Sequence, residues 1–356
     1  MLYGIDGKIL HLKELDFIER TLFGTVLNPT KFYNDLAEYM ENEDIGKKPY
    51  ITTSELKSLD EFINDYLDAL IPSHKTWMLR AYVIGRMLAD AEKTAKAFKI
   101  IDVSLLPEDI QTAAKEFGLS VEEVKAIEST IENGATLITN TTPEVVQMVR
   151  QSVIESIKRG EGQEGALKRI YGLLDGDIGE INREWQRVAI TETNTAFANG
   201  YLSMQNEGDL VVGLSMPDAC DSCLDLINGK IYKVRKEPPP DYTNLEGEEY
   251  EKIAKIWETE IWEGKNNFGR SPSRRKRIDP RKGNTKDNLR AKEHHENSMP
   301  VIPMHPHCRC KWINFNPKYQ FVDENHEIRL RVEDPQKYEK WKRTHSDLFN
   351  LEKNNK

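Results

Sequence analysis

The chain has 356 residues, with 50 Lys and Arg against 59 Asp and Glu for a net charge of -9. That length exceeds one minimal domain and excludes a peptide hormone or a disulfide knot, while 38% hydrophobic and 31% charged residues describe a chain able to build a core in water. No apolar run approaches the ~18 residues that cross a bilayer, and Asp6, Lys8, His11 and Lys13 interrupt the stretch an export signal needs, so the expected setting is a cytoplasm and no membrane.

Residues 1–135 read as a helical docking domain without internal repeats. Across 75–98, Leu79, Val83, Met87, Ala91, Ala95 and Phe98 recur at steps of three or four and share a face. Arg80, Arg86, Asp90 and Lys93 lie elsewhere, and Ser73 is available as a cap. Two further helices are predicted over 106–117 and 121–132, separated by Gly118 and closed by Asn133 and Gly134. A fresh unit, 136–320, then opens on Thr141, Thr142, Pro143 and Glu144, which combine a hydroxyl cap, an early proline and a carboxylate at the positive end of a helix. Val146, Val149, Val153 and Ile157 form its stripe and Gly160 its stop.

A short helix over 166–174 precedes a longer one over 178–206, on which Ile181, Trp185, Val188, Glu192, Thr195, Asn199 and Leu202 share a face. Polar residues thus interrupt an apolar seam. An inward carboxylate needs a specific partner, so Glu192 and Asn199 are read as structural polar residues rather than catalytic ones. After Gly208, 210–214 and 230–234 read as strands, the second following an Asn228-Gly229 turn. Pro238, Pro239 and Pro240 lead into an acidic helical stretch with Trp257 and Trp262, and order returns over 304–315. The charged tail, 321–356, ends in a helix over 335–351 whose Tyr338, Trp341 and Leu348 are expected to dock on something.

Between 235 and 300 lies an inserted loop whose charge stands apart. Over 265–292, eleven basic residues face Asp279 and Asp287, a balance of +9 that leaves -18 on the rest of the chain. Arg270, Arg274, Arg275, Lys276, Arg277, Arg281 and Lys282, among Gly, Pro, Ser and Asn, suit phosphate backbones or an acidic partner; the bland alternative is a solvated loop.

Only four cysteines exist, in two tight pairs: Cys220 with Cys223, and Cys308 with Cys310. A reducing compartment disfavours disulfides, and converging thiolates are what zinc requires. His305 and His307 bring the candidate ligands to six, of which a tetrahedral ion takes four; the four cysteines are the simplest closed set, with His305 able to replace one of the second pair. Such a site is structural and pins together the ends of the long excursion between Cys223 and Cys308. The expected fold is therefore α+β, an N-terminal helical bundle followed by a mixed helical and small-sheet domain closed by a Cys-rich zinc site.

Three runs occur in order: A-I-T-E-T-N-T-A-F-A-N-G from Ala189, D-A-C-D-S-C-L-D-L-I-N-G-K-I-Y from Asp218, and P-M-H-P-H-C-R-C from Pro303. Together they resemble the minor head protein family of tailed bacteriophages, which includes the Mu F-like proteins, over roughly 141–315. The resemblance implies a few-copy virion component at the head interior or portal vertex. Its implied partners are the portal, other head or scaffold proteins and packaged DNA, and its implied roles are procapsid assembly and DNA packaging or ejection. It places the family's cysteines on Cys220, Cys223, Cys308 and Cys310, its histidine on His305 and its helix glutamate on Glu192. Ile190 stands where the family often carries an arginine, and the gap between the cysteine pairs is long.

The expected function is therefore structural, with no enzymatic activity. The rival is a zinc nuclease using His294 or His295, or another nucleic-acid-modifying enzyme, but a cysteine-rich closed site lacks the open metal position that hydrolysis needs. His294-x-Glu296 has the form of a deaminase signature without the C-x-x-C that must follow it. A zinc-module transcription regulator needs a recognition helix beside the cysteines, where the segment from Cys308 to Phe315 reads as a strand.

Overall fold

The computed structural model describes residues 28–94, 103–175, 179–216, 219–236, 248, 259–262, 302 and 308–350. It is mixed α and β, mostly helical with two small sheets. Among the described residues no helix is long and apolar enough to cross a membrane. The chain divides into two compact units, with the divisions falling inside the third and seventh helices.

The helical unit comprises the described residues within 10–81 and 101–196. Helices α1 (Pro29–Asn42) and α2 (Thr53–Asp68) each bury one stripe: Phe32, Leu36 and Met40 on the first, Leu59, Ile63 and Leu67 on the second. Phe32 meets Trp185 edge to face at 5.4 Å. Helix α3 (Ile71–Lys93) starts earlier than its apolar stripe predicts, because Pro72 is tolerated in a first turn; Ser73 accordingly lies inside the helix and is no cap. Arg80 departs further from its expected place outside the apolar face. It is buried, and its guanidinium donates to the carbonyls of Leu106 and Ser104 at 3.3 Å each.

Helix α4 (Ile110–Phe117) is capped by Asp109 and ends on Gly118 at φ 61°, a left-handed stop that glycine adopts without strain. Helix α5 is a correction: it runs unbroken over Val121–Lys158, crossing both the stop expected at Asn133 and Gly134 and the start expected at Thr141. The sequence signals were real but locally outvoted. The Thr141 and Thr142 hydroxyls donate backward to the Ile138 carbonyl at 2.8 and 3.1 Å instead of forward as caps, and Pro143 sits within the helix. The start is set upstream by a full capping box between Ser120 and Glu123, and Gly160 at φ 71° follows the end as expected. Helix α6 (Gly162–Leu174) and helix α7 (Glu180–Ser203) complete the set.

The second unit contains the described residues within 82–100 and 197–356. Strands β1 (Leu210–Leu214), β2 (Ile231–Arg235), β3 (Glu260–Trp262) and β4 (Lys311–Asn314) form a sheet in the order β3-β2-β1-β4. β1 is antiparallel to both β2 and β4, and β2 is parallel to β3. Between β1 and β2 lies the short helix α8 (Asp221–Leu226). A hairpin of β5 (Gln320–Val322) and β6 (Ile328–Leu330) leads to α9 (Pro335–Thr344) and α10 (Asp347–Asn350).

The tail supplies part of this unit's core. Tyr338 and Trp341 pack with Val212, Leu214, Ile313, Phe315 and Phe321, so the docking surface expected for the last helix is the chain's own sheet. Within the unit, the α3 and α7 backbones touch. A Cβ on Gly85 would lie 2.1 Å from the Phe197 carbonyl oxygen, and one on Gly200 would lie 1.9 Å from that of Tyr82. Glu92 then ties α3 to the sheet by accepting from the Tyr201 hydroxyl and from the Asn314 amide, the latter at 3.1 Å.

Candidate metal centre

Antiparallel pairing of β1 with β4 sets Leu214 opposite Lys311, so the chain leaves β1 at the same end of the sheet where it enters β4. Cys308 and Cys310 immediately precede β4, and Cys220 and Cys223 follow β1. The register therefore brings the segments that carry the two cysteine pairs to one end of the sheet, although Cys223 and Cys308 are 85 positions apart.

Local bonds then fix the first pair. Cys220 occupies the N-cap of α8 with extended backbone, and Cys223 lies in its first turn. The Cys223 carbonyl accepts from the amides of Ile227 and Asn228 at 3.0 and 2.9 Å, while Gly229 donates to the Gly213 carbonyl at 2.9 Å and folds the turn back on β1. β1 needs glycine there: a Cβ on Gly213 would stand 2.2 Å from the Ile227 carbonyl oxygen. The Tyr232 hydroxyl closes the far end of α8 by donating to the Leu226 carbonyl.

The result is a buried cluster. Cys223, Cys308 and Cys310 each expose 1% of their surface, and their sulfurs lie within 4.8 Å of one another. Cys223 Sγ stands 3.7 Å from Cys308 Sγ, far beyond the ~2.05 Å of a disulfide. Metal–sulfur bonds of about 2.3 Å in a tetrahedron put neighbouring sulfurs about 3.8 Å apart, so the three thiols fit a metal ion, whose identity the geometry leaves open. Hydrogen bonds with Cys308 and Cys310, and burial, push the Cys223 thiol far above its usual range. For Cys310 the bond with Cys223 pulls down, but the bond with Cys308, burial and the neighbouring Cys220 outweigh it. Thiols this close can all be negative only with a cation among them, and this is the electrostatic case for a metal.

The predicted ligands thus fall into three groups. Cys223, Cys308 and Cys310 converge; Cys220 is exposed beside them; His305 lies outside the described residues, as does His307. The basic residues Arg270, Arg274, Arg275, Lys276, Arg277, Arg281 and Lys282 also lie outside them, as do His294 and His295.

Glu192 and Asn199 are both buried on α7, with 5% and 2% of their surface exposed, as the polar interruption of the apolar face requires. The specific partner expected for Glu192 is not found among the described residues. Among the described residues no hydrogen bond or ion pair reaches its carboxyl, and burial raises its pKa from 4.5 to about 7. Burial thus favours the protonated carboxyl below about pH 7.

Two buried groups escaped the sequence reading. Lys311, next to Cys310, is 1% exposed with its ammonium 5.3 Å from the Phe197 ring centroid; a lysine opening a short apolar strand was the available signal. His74 is fully buried, both ring nitrogens lack partners among the described residues, and burial lowers its pKa from 6.5 to about 4. Nothing in its sequence neighbourhood marks it. Comparison of the chain with protein-family models, with curated proteins and with solved structures finds no match.

Proposed function

We propose that the thiol cluster is a structural zinc centre and that the chain is a minor head protein of a tailed bacteriophage, acting at the portal vertex or head interior in assembly and in DNA packaging or ejection. The observation that carries this reading is the burial of Cys223, Cys308 and Cys310 together at one sheet corner. They belong to two of the three ordered runs on which the family resemblance rests. Cys223, Cys308 and Cys310 would hold the ion, with Cys220 or His305 as the fourth ligand. Zinc so enclosed contributes folding free energy, of order 10 kcal/mol in zinc peptides at neutral pH, and polarises no substrate.

The residues of the chain do the rest. The backbone bonds at Cys223 and the β1–β4 register preorganise the corner, and the closure lets the segment between Cys223 and Cys308 be accommodated without opening the sheet. The arginines and lysines of 265–292 are assigned to packaged DNA, through phosphate contacts that read no sequence. Three buried thiols closed by Cys220 or His305 would favour a structural over a catalytic role, because four protein ligands leave no position for a nucleophilic water.

Mass spectrometry of purified particles and of precursor heads, from the virus or prophage encoding the chain, tests the assignment. Recovery at a few copies per particle is the expected result. Absence from both preparations overturns it, and metal-dependent cleavage of plasmid DNA that is lost in His294→Ala would put the nuclease in its place.

A further inference from the structure

In the sheet-bearing unit a cleft of about 540 Å³ opens between strands β1 to β3 on one side and β5, α9 and α10 on the other, sharing no residue with the thiol cluster. Its volume is in the ~300–1,000 Å³ range of small-molecule sites. The floor is apolar. Leu210, Ile231, Val322 and Leu348 are half-buried there, packed on the rim of the core cluster with Trp341 behind them.

The rim carries charge of uneven availability. Glu260 is held by Arg235 at 2.8 Å and Asp323 by Arg329 at 3.0 Å. Lys230 and Lys233 line the β2 side, and among the described residues neither has a carboxylate within 4.0 Å. Asp347 lines the opposite side, likewise without a cationic partner among the described residues. Two available cations therefore face one available anion across an apolar pit.

One side of the mouth is closely packed turn backbone. His326 lines it with a left-handed backbone, φ 60°, and the Gly229 backbone, φ 68°, packs so closely that a Cβ there would come 2.6 Å from the His326 carbonyl oxygen. The turn joining β5 to β6 holds His326 there, its amide donating to the Asp323 carbonyl at 3.0 Å and the Asp323 amide to the Glu327 carbonyl at 2.9 Å. The ring of His345 adds a flat wall, stacked on Trp341 at 4.7 Å and 19°.

We infer that this cleft binds an amphipathic organic anion, a flat apolar body bearing a carboxylate, sulfonate or phosphate, with the head group on Lys230 and Lys233 and the body over Leu348. Asp347 sets the polarity, because it repels an anionic head from the α10 side. The assignment is independent of the metal centre and of the virion role.

The test is a fluorescence titration of the full chain with 1-anilinonaphthalene-8-sulfonate, whose sulfonate and fused rings match this chemistry. One saturable site is expected, displaced by 2-naphthoate and filled less tightly by the uncharged N-phenyl-1-naphthylamine. Lys230→Gln and Lys233→Gln each weaken binding about threefold, the range of an exposed charge pair, and Asp347→Asn tightens it by about the same factor. Because a loosened fold also takes up this dye, each variant is required to keep the wild-type melting temperature and a single saturable site, and opposite directions of the lysine and Asp347→Asn effects then separate a charged site from damaged structure. Absence of saturation, equal affinity for the charged and uncharged probes, or affinities unmoved by all three substitutions would overturn the inference.

Discussion

Replacing Glu192 by glutamine should stabilise the protein by an amount that grows above about pH 4.5 and is complete above about pH 7. In the unfolded chain this carboxyl releases its proton near 4.5, whereas in the folded chain burial retains it until about pH 7. Between those values the folded state holds a proton the unfolded state has lost, so this residue's contribution is complete below pH 4.5 and is lost as pH rises through 7. At ~1.4 kcal/mol per pH unit the span from 4.5 to about 7 amounts to about 3 kcal/mol. Glutamine keeps the shape and never ionises. Urea titrations at pH 4 and pH 8, followed by circular dichroism, should therefore show the two proteins nearly equal in acid and the Glu192→Gln protein more stable by up to about 3 kcal/mol at pH 8. His74 works with the opposite sign. Its folded pKa near 4 lies below the ordinary 6.5, so its contribution is present above 6.5 and is lost as pH falls to 4. The two slopes oppose each other between pH 4.5 and 6.5, so these two groups together contribute little net slope there. A Glu192→Gln protein that is less stable than wild type at pH 8 would refute the reasoning, because it would mean that the carboxylate has a partner worth more than its burial costs.

Gly200→Ala should lower stability by about 3 kcal/mol or more, since the added Cβ would meet the Tyr82 carbonyl oxygen at 1.9 Å and two backbones must separate; thermal unfolding reads this directly. Trp341→Ala should lose about 3–5 kcal/mol in the same assay, because its ring packs edge to face on Phe315 at 5.9 Å inside the core cluster. Deleting 265–292 should weaken binding to random duplex DNA and flatten the dependence of affinity on salt, measured by anisotropy between about 50 and 200 mM salt; an unchanged slope would remove DNA from the list of partners.

Period and punctuation made much of this fold legible. The stripe of Leu79, Val83 and Ala91 on α3, the glycine stops at Gly118 and Gly160, and the strands around Val212 and Ile313 follow from local spacing. Local signals misled where two of them competed. Thr141 and Pro143 look like a helix start, yet hydroxyls can bond backward as easily as forward, and a helix already begun at Ser120 carries through them. The long-range facts were legible only in part. Two close cysteine pairs announced a shared site, but its corner is set by the pairing of Leu214 with Lys311, which no local pattern encodes. The lodging of Trp341 against Phe315 depends in the same way on where the sheet ends up. Glu192 shows a third kind of gap: its burial could be read from the helix face, whereas its raised pKa depends on what surrounds it in space.

The most direct test is the metal content of protein purified under reducing conditions without added metal, measured by mass spectrometry of the dissolved elements beside Cys223→Ser and Cys308→Ser. One zinc per wild-type chain, lost in both variants together with a lower melting temperature, is the expected result. Protein that is folded and reduced yet carries no stoichiometric zinc, or variants that melt as the wild type does, would contradict it.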